Sequence, residues 1–315
     1  MDLSIRKFSE KDIDRALDIF LGNYADERDA NPDLPCDVMN DPKRISDSLS
    51  KVEKPGVVAH SNGRIVGFML TGATFRFKGQ KTVMVPEYCH GSVRDNKTEI
   101  YRRMHMALSE EWVNEGCHLH IIGHLAHDAE LKETLFQLGF GAVVSEKVRD
   151  LSPVKTRCTH DIVRVEDPKR LIDLQLEHNM YYRDSPIFIK KPIEMDVILK
   201  DLEEHAANGD VFFAHREGDE LMGYMIIGES ARGHEGFLLQ NTRTAQIKSA
   251  YLKSEARGKE IGKCLLKECV EWARSNGYES IFVEHETANY YGGNFWERHF
   301  KSYLYYSMRY VDNTV

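Results

Sequence analysis

Two stretches of this chain are written almost twice. Gly67-Phe68-Met69 with Gly72 returns 156 positions later (67 to 223) as Gly223-Tyr224-Met225 with Gly228. Glu111-Trp112, Phe136 and Phe140 return 160 positions later (112 to 272) as Glu271-Trp272, Trp296 and Phe300. Repeats of about 20 to 50 residues build solenoids, whereas a period near 160 is the size of a whole domain. The chain therefore reads as an internal duplication, and positions where the copies differ point to function.

The sharpest difference lies before the long helix of each copy. The second copy has Arg257-Gly258-Lys259-Glu260-Ile261-Gly262 leading into Lys263-Cys264-Leu265-Leu266. The positions 160 earlier, Lys97-Thr98-Glu99-Ile100-Tyr101-Arg102, contain no glycine. A glycine-containing turn that opens a helix lets backbone N–H groups approach a phosphate, and the helix dipole favours the anion. Only the second copy offers such a turn.

With 315 residues, 42% of them hydrophobic, the chain has material for two cores. Its net charge of −8 and lack of a long Lys/Arg run argue against nucleic acid or an anionic membrane as partner, because both require a concentrated basic footprint. No stretch has the apolar core of a signal peptide or the length to span a bilayer, so a cytoplasmic protein acting on a small molecule or peptide is expected. The six cysteines, at 36, 89, 117, 158, 264 and 269, include no C-x-x-C pair and are expected as buried or partly buried free thiols.

Each half repeats one order of elements. Leu3–Lys7 reads as a strand, Ser9-Glu10-Lys11-Asp12 as a capping-box start to a helix, and Asn62-Gly63 as a hairpin turn between apolar strands. A strand at 81–85, a helix at 98–114, a strand at 118–125, a helix at 128–138 and a final hairpin near Leu151 follow. The second half mirrors this, with helices near 168–182, 193–207, 258–276 and 289–298 and strands at 161–165, 211–216, 221–229, 245–252, 280–285 and 302–311. In the helix from Gly258, the residues Ile261, Leu265, Cys269, Trp272 and Ala273 recur at helical spacing and should form a buried face. Ser152 to Arg157 is the one linker-like stretch, which sets a boundary near 155 and domains of 1–155 and 156–315.

The order strand, two helices, three antiparallel strands, long helix, strand, helix, strand resembles the GCN5-related N-acetyltransferase (GNAT) fold, most sharply over Ala245 to Tyr310. Arg257-x-x-Glu260-x-Gly262 is similar to that family's Gln/Arg-x-x-Gly-x-Gly/Ala turn, with Glu260 in place of a glycine. Asn289-x-x-Gly292-x-x-Phe295-Trp296 is similar to its Asn-x-x-Ala-x-x-Phe-Tyr pattern. The resemblance implies an α+β chain of two tandem GNAT-like domains, each a mixed, mostly antiparallel sheet flanked by helices, the first a degenerate copy. It further implies acetyl-CoA as cosubstrate and a small-molecule or peptide amine as acceptor, while the duplication and the short linker lead to the expectation that the two halves dock as a pseudo-dimer.

Carried over residue by residue, the amides from Arg257 through Gly258, Lys259, Glu260, Ile261 and Gly262 to Lys263 would meet the pyrophosphate. The strand end at Tyr251 and Leu252 would pair with the pantetheine arm, and Asn289 belongs to the same cofactor set. Its counterpart by the 160 offset is Ala129. Trp296 stands where the family often has a tyrosine that protonates the leaving thiolate, which indole cannot do. Tyr290 and Tyr291 lie just upstream, and Tyr291 is a candidate acid. Glu284 and His285, with Glu286, close the strand that lines the acetyl site and are candidates for the base. The expected activity is acetyl transfer to an amine; the alternative is a non-catalytic acetyl-CoA-binding or partner-binding module. The cluster His118, His120, His124 and His127 lacks metal-site spacing, and its histidines are expected to border a cleft between the halves or face water.

Overall fold

In the computed structural model of this protein, residues 2–52, 55–184, 186–189, 194–230, 236–240 and 243–311 are described. The first half contains β1 (Leu3–Lys7), α1 (Ile13–Ala30), α2 (Asp37–Asn40), α3 (Lys43–Ser50), β2 (Gly56–Ser61), β3 (Arg64–Leu70), β4 (Ala73–Phe77), β5 (Gln80–Val85), β6 (His90–Ser92), α4 (Lys97–Asn114), β7 (Leu119–Leu125), α5 (Ala129–Gln137) and β8 (Gly141–Asp150). The second contains β9 (Ile162–Arg164), α6 (Ile172–Tyr181), α7 (Met195–Ala207), β10 (Val211–Glu217), β11 (Glu220–Glu229), β12 (Thr244–Leu252), α8 (Ile261–Ser275), β13 (Ser280–Glu286), α9 (Tyr290–His299) and β14 (Lys301–Tyr310). Ile193, the first residue of the helix expected at 193–207, lies outside the described residues.

The duplication is written into the backbone. β2 and β3 slip register between Ala59 and His60, and β10 and β11 slip between His215 and Arg216, 156 positions on. Each copy then has four parallel pairs, from Thr82↔Leu119 to Val85↔Ile122 in the first and from Thr244↔Ser280 to Ile247↔Val283 in the second. Beyond the long helix the structural offset is 161. Asp128 caps α5 and Asn289 caps α9, each accepting the N–H of the residue three further on. The counterpart of Asn289 is therefore Asp128, not the Ala129 given by an offset of 160.

The described residues of Met1–Ser145 with Ser302–Val315 form one compact unit, and those of Glu146–Lys301 a second. Each unit is completed by a strand from the other half of the sequence. β14 pairs antiparallel with β7 in the first, from Leu304↔Leu125 to Tyr310↔Leu119, and β8 neighbours β13 in the second. β8 is one ten-residue strand rather than the expected hairpin. In the first unit the sheet divides into β1-β2-β3-β6 and β4-β5-β7-β14. The strand breaks at Thr71-Gly72, where Thr71 accepts a hydrogen bond from the Trp112 indole at 2.8 Å and a Cβ on Gly72 would lie 2.3 Å from Pro86.

In the second unit the two sheet faces are packed differently, as strand alternation dictates. On one face Ile261, Leu265, Cys269 and Ala273 of α8 bury against Ile247 and Val283, with Trp296 and Phe300 closing the cluster. Trp272 is only partly buried and stacks on Tyr278. On the other face Leu174, Ile198 and Leu202 of α6 and α7 cover Phe212, Tyr224 and Ile226. Burying each such aliphatic side chain contributes about 1.5–3 kcal/mol.

Two cysteines depart from the free-thiol expectation. Cys158 and Cys264 form a disulfide, with Cα atoms 5.5 Å apart, while Cys36, Cys89 and Cys269 are free thiols. The partners are 106 residues apart, so no local spacing announces the pair. His120 and His124 are buried, not facing water, and take the Cys117 carbonyl and the Ser307 hydroxyl as partners; His127 pairs with Glu27. Among the described residues no helix is long and apolar enough to cross a membrane, and no three metal-binding side chains gather.

Candidate active site

The cleft of the second unit follows from where a ladder stops. β12 and β13 pair as far as Ile247↔Val283 and no further, so Ser249–Leu252 and Glu284–Glu286 diverge. A bulge sits at that point: Ile227 opposes Ile247 and Ile226 opposes Ser249, which leaves Lys248 opposite nothing on β11. Its ammonium is held by buried Asp210 at 2.8 Å, which also meets His205 at 2.7 Å. A cleft of about 660 Å³ opens between the diverging strands, bounded by the start of α8, the first turn of α9 and the end of α6.

The turn into α8 lines this cleft. Gly258 has φ +77°, and Glu260, the N-cap, has φ +65°, a left-handed conformation that suits glycine. That explains why a glycine is expected at 260 in chains of this pattern. The Glu260 carboxylate accepts a hydrogen bond from the Lys263 ammonium at 2.7 Å, so its charge is partly neutralised. At Gly262 a Cβ would lie 3.1 Å from the Phe295 ring. Of the cofactor residues expected from sequence, Tyr251, Leu252, Arg257, Gly258, Glu260, Ile261, Gly262, Lys263 and Asn289 line the cleft. Lys259 does not; its carbonyl takes a hydrogen bond from the His160 ring at 2.7 Å.

The Arg257 side chain does not extend into solvent. Its Nε donates to the Leu252 carbonyl at 3.0 Å, and its guanidinium lies over the rings of Tyr291, Tyr181 and Tyr251 at 4.9, 5.1 and 5.8 Å. Tyr181 donates to the Asn289 side-chain oxygen at 2.7 Å. These contacts draw the end of α6, the end of β12 and the start of α9 together across the cleft.

The three residues expected to act on the proton fall in different places. Glu284 and Glu286 share the β13 face that looks toward α6, where their charges raise the Tyr182 hydroxyl pKa beyond the effect of burial. His285 lies on the opposite face, 8% exposed, its ring beside Gly293 of α9. Its Nδ1 shares a hydrogen bond with the Glu286 carbonyl, its Nε2 is buried without a partner among the described residues, and burial lowers its pKa. Tyr291 is exposed, with its ring on Arg257.

Other cleft residues were not singled out by sequence reasoning. His178 of α6 lies between the rings of Tyr182 and Tyr251, at 4.8 and 5.3 Å. It shares a hydrogen bond with the Tyr224 hydroxyl at 2.9 Å, which in turn meets the Ser249 hydroxyl at 3.0 Å. Burial, reinforced by Arg257, pushes the His178 pKa down to about 4. One signal was present: the repeated tripeptides Gly67-Phe68-Met69 and Gly223-Tyr224-Met225 differ only at their centre, by this hydroxyl.

In the first unit the same slot is closed by the chain itself. His90 bridges it, one ring nitrogen 2.6 Å from the Gly123 carbonyl and the other 2.8 Å from the Tyr101 hydroxyl. The positions matching the turn are helical, because α4 begins at Lys97. The Lys97 ammonium sits 2.5 Å from Asp128, and the Thr98 N–H donates to Glu130 at 3.1 Å, so the helix start is satisfied by the chain's own carboxylates.

A sheet that splays at a bulge, with a glycine turn opening a helix at the mouth, defines an acyltransferase-type fold. Residues 176–300 match the acetyltransferase (GNAT) family. The whole chain shares its two-domain fold with solved structures of low identity. The GCN5-related N-acetyltransferase from Sphaerobacter thermophilus is 13% identical, with 99% of this chain and 97% of that one covered at a TM-score of 0.60. A GNAT-family acetyltransferase from Colwellia psychrerythraea is 11% identical, with coverage of 98% and 100% and a TM-score of 0.51. A GCN5-related glucosamine N-acetyltransferase region of a fungal multi-domain β-N-acetylglucosaminidase is 15% identical, covering 97% of this chain and 38% of that one, at a TM-score of 0.54. No curated protein matches the chain.

Proposed function

We propose that this protein transfers an acetyl group from acetyl-CoA to a primary amine, and that the second unit alone carries the reaction. The observation that carries this reading is the end of the β12–β13 ladder at Ile247↔Val283, with the cleft opening beyond it beside the N-terminus of α8. The pyrophosphate lies on the backbone amides from Gly258 to Lys263, with the helix dipole behind them. The pantetheine arm runs along the Tyr251-Leu252 end of β12, and the Lys248 bulge takes one peptide out of the ladder where a donor that polarises the acyl carbonyl is needed.

The amine approaches from the α6 face. Glu284, on that face, takes the proton that the amine loses, and Tyr291 supplies one to the leaving thiolate in place of Trp296. His285 shapes the opposite wall. The cleft sets two reactants side by side, so positioning supplies much of the rate.

Release of free CoA thiol, followed with a panel of amines that includes glucosamine, lysine methyl ester and 1,4-diaminobutane, tests the reading. Amine-dependent release supports it. Binding of acetyl-CoA with no release on any amine favours the second reading, a binding module, which Trp296 and Glu260 in place of the family's tyrosine and glycine make specific.

A further inference from the structure

Comparison of the two copies isolates one hydroxyl. Phe68 and Tyr224 occupy the same position relative to the shared bulge, one residue beyond Gly67 and Gly223, and both are fully buried. The first copy, whose slot is closed, needs no hydroxyl there. In the second copy it joins His178 on α6 to Ser249 on β12. Ser249 is the first residue past the bulge that again opposes β11, and it stands where β12 has already left β13, on the wall of the cleft.

We propose that Ser249, its hydroxyl fixed by Tyr224 and His178, receives the N–H of the acceptor amine and so sets the line of attack. This rests on the acetyltransfer reading. With the His178 Nδ1 as acceptor, Tyr224 donates to it, Ser249 donates to Tyr224, and a lone pair of Ser249, on the wall of the cleft, remains to accept. That polarity requires an imidazole that is neutral and carries its proton on Nε2; burial, reinforced by Arg257, favours the neutral form by lowering the pKa to about 4. The ligand class is an amine with at least one N–H, held as a hydrogen-bond donor. Tyr224 and His178 are positioning residues, and Ser249 is the group that touches the acceptor.

The test uses the full chain with acetyl-CoA and the best amine of the panel above. Tyr224→Phe installs the residue that the first copy already accommodates, so the fold is expected to tolerate it; Ser249→Ala tests the other end of the chain if it does not. Both variants should lose at least tenfold in kcat/KM for the amine while the dissociation constant for acetyl-CoA stays within twofold of wild type. A loss confined to the amine is an outcome that general loosening of the core does not give. Wild-type amine kinetics in both variants, or an equal loss in acetyl-CoA affinity, would overturn the inference and leave the acetyltransfer reading standing. No thiol release from the wild-type protein would remove both.

Discussion

Asp128 and Asn289 hold one position in the two copies and do the same local work with opposite consequences. Each caps the helix that follows it, at 3.0 Å to the Leu131 N–H and 2.9 Å to the Gly292 N–H. Asp128 spends its second oxygen on the buried Lys97 ammonium, which seals the first unit at the start of α4. Asn289 instead accepts the Tyr181 hydroxyl at the edge of an open cleft.

That pairing predicts a crossed result. Asp128→Ala removes a cap and leaves the Lys97 charge buried and alone, so it should destabilise the protein by about 3 kcal/mol or more, against about 1 kcal/mol for Asn289→Ala. Acetyl-CoA affinity should respond the other way, falling in Asn289→Ala and staying level in Asp128→Ala. Urea unfolding and a binding titration on both variants check this; weaker acetyl-CoA binding in Asp128→Ala would contradict it.

Glu260→Gly should help twice. It relieves a left-handed non-glycine residue, worth roughly 1 kcal/mol of stability, and it removes a negative charge beside the phosphate-binding turn while releasing Lys263. The dissociation constant for acetyl-CoA should fall about threefold at low ionic strength, and less at high salt, because the charge is exposed and screened. An affinity that does not change at any ionic strength would show that the carboxylate does not face the cofactor.

Acid should weaken the first unit. Burial lowers His90, His120 and His124 from the usual 6.5 to about 4 and His105 to about 3. These imidazoles stay neutral when folded, while the unfolded chain binds protons below about pH 6.5. Stability is therefore full above pH 6.5 and is lost as pH falls toward 4, by up to roughly 3 kcal/mol per histidine. The urea midpoint measured at pH 7.5, 6 and 5 should fall steadily, with proton uptake on unfolding at pH 5. A midpoint independent of pH would count against this burial.

The strand exchange changes how the halves can be separated. A fragment of 156–315 loses β8, the neighbour of β13, and keeps β14 without its partner β7. Both exposed edges invite aggregation. A fragment of 146–301 keeps the compact unit intact and should be the more soluble of the two by size-exclusion chromatography. A monodisperse 156–315 fragment alongside an aggregated 146–301 would contradict the exchange.

Much of this architecture was legible in the residues. The repeated Gly67-Phe68-Met69 and Gly223-Tyr224-Met225 gave the duplication, and the stripe of Ile261, Leu265, Cys269 and Ala273 gave the face of α8 on the sheet, because helical periodicity and turn chemistry are local. The exchange of β8 and β14 was not legible, since both strands have the same pattern and either could complete either sheet. Nor was the Cys158–Cys264 bond, whose partners meet only through the packing of the linker on α8. Offsets read from matched residues also drift: one residue of slip made Ala129, rather than Asp128, the apparent partner of Asn289. At the site, Glu284 and His285 were both candidates for the base, and strand alternation sets them on opposite faces of β13; His178 went unnoticed because nothing in α6 marks it out until Tyr224 and Ser249 are placed beside it.

The central claim, one working acetyl-CoA site in a chain that holds the fold twice, is tested most directly by calorimetric titration of acetyl-CoA into the full-length protein. A stoichiometry of one per chain is expected, lost when Gly262→Asp puts a carboxylate into the turn at α8 and unchanged when Lys97→Gln is made at the start of α4. Two equivalent sites, or a single site that survives Gly262→Asp, would contradict it.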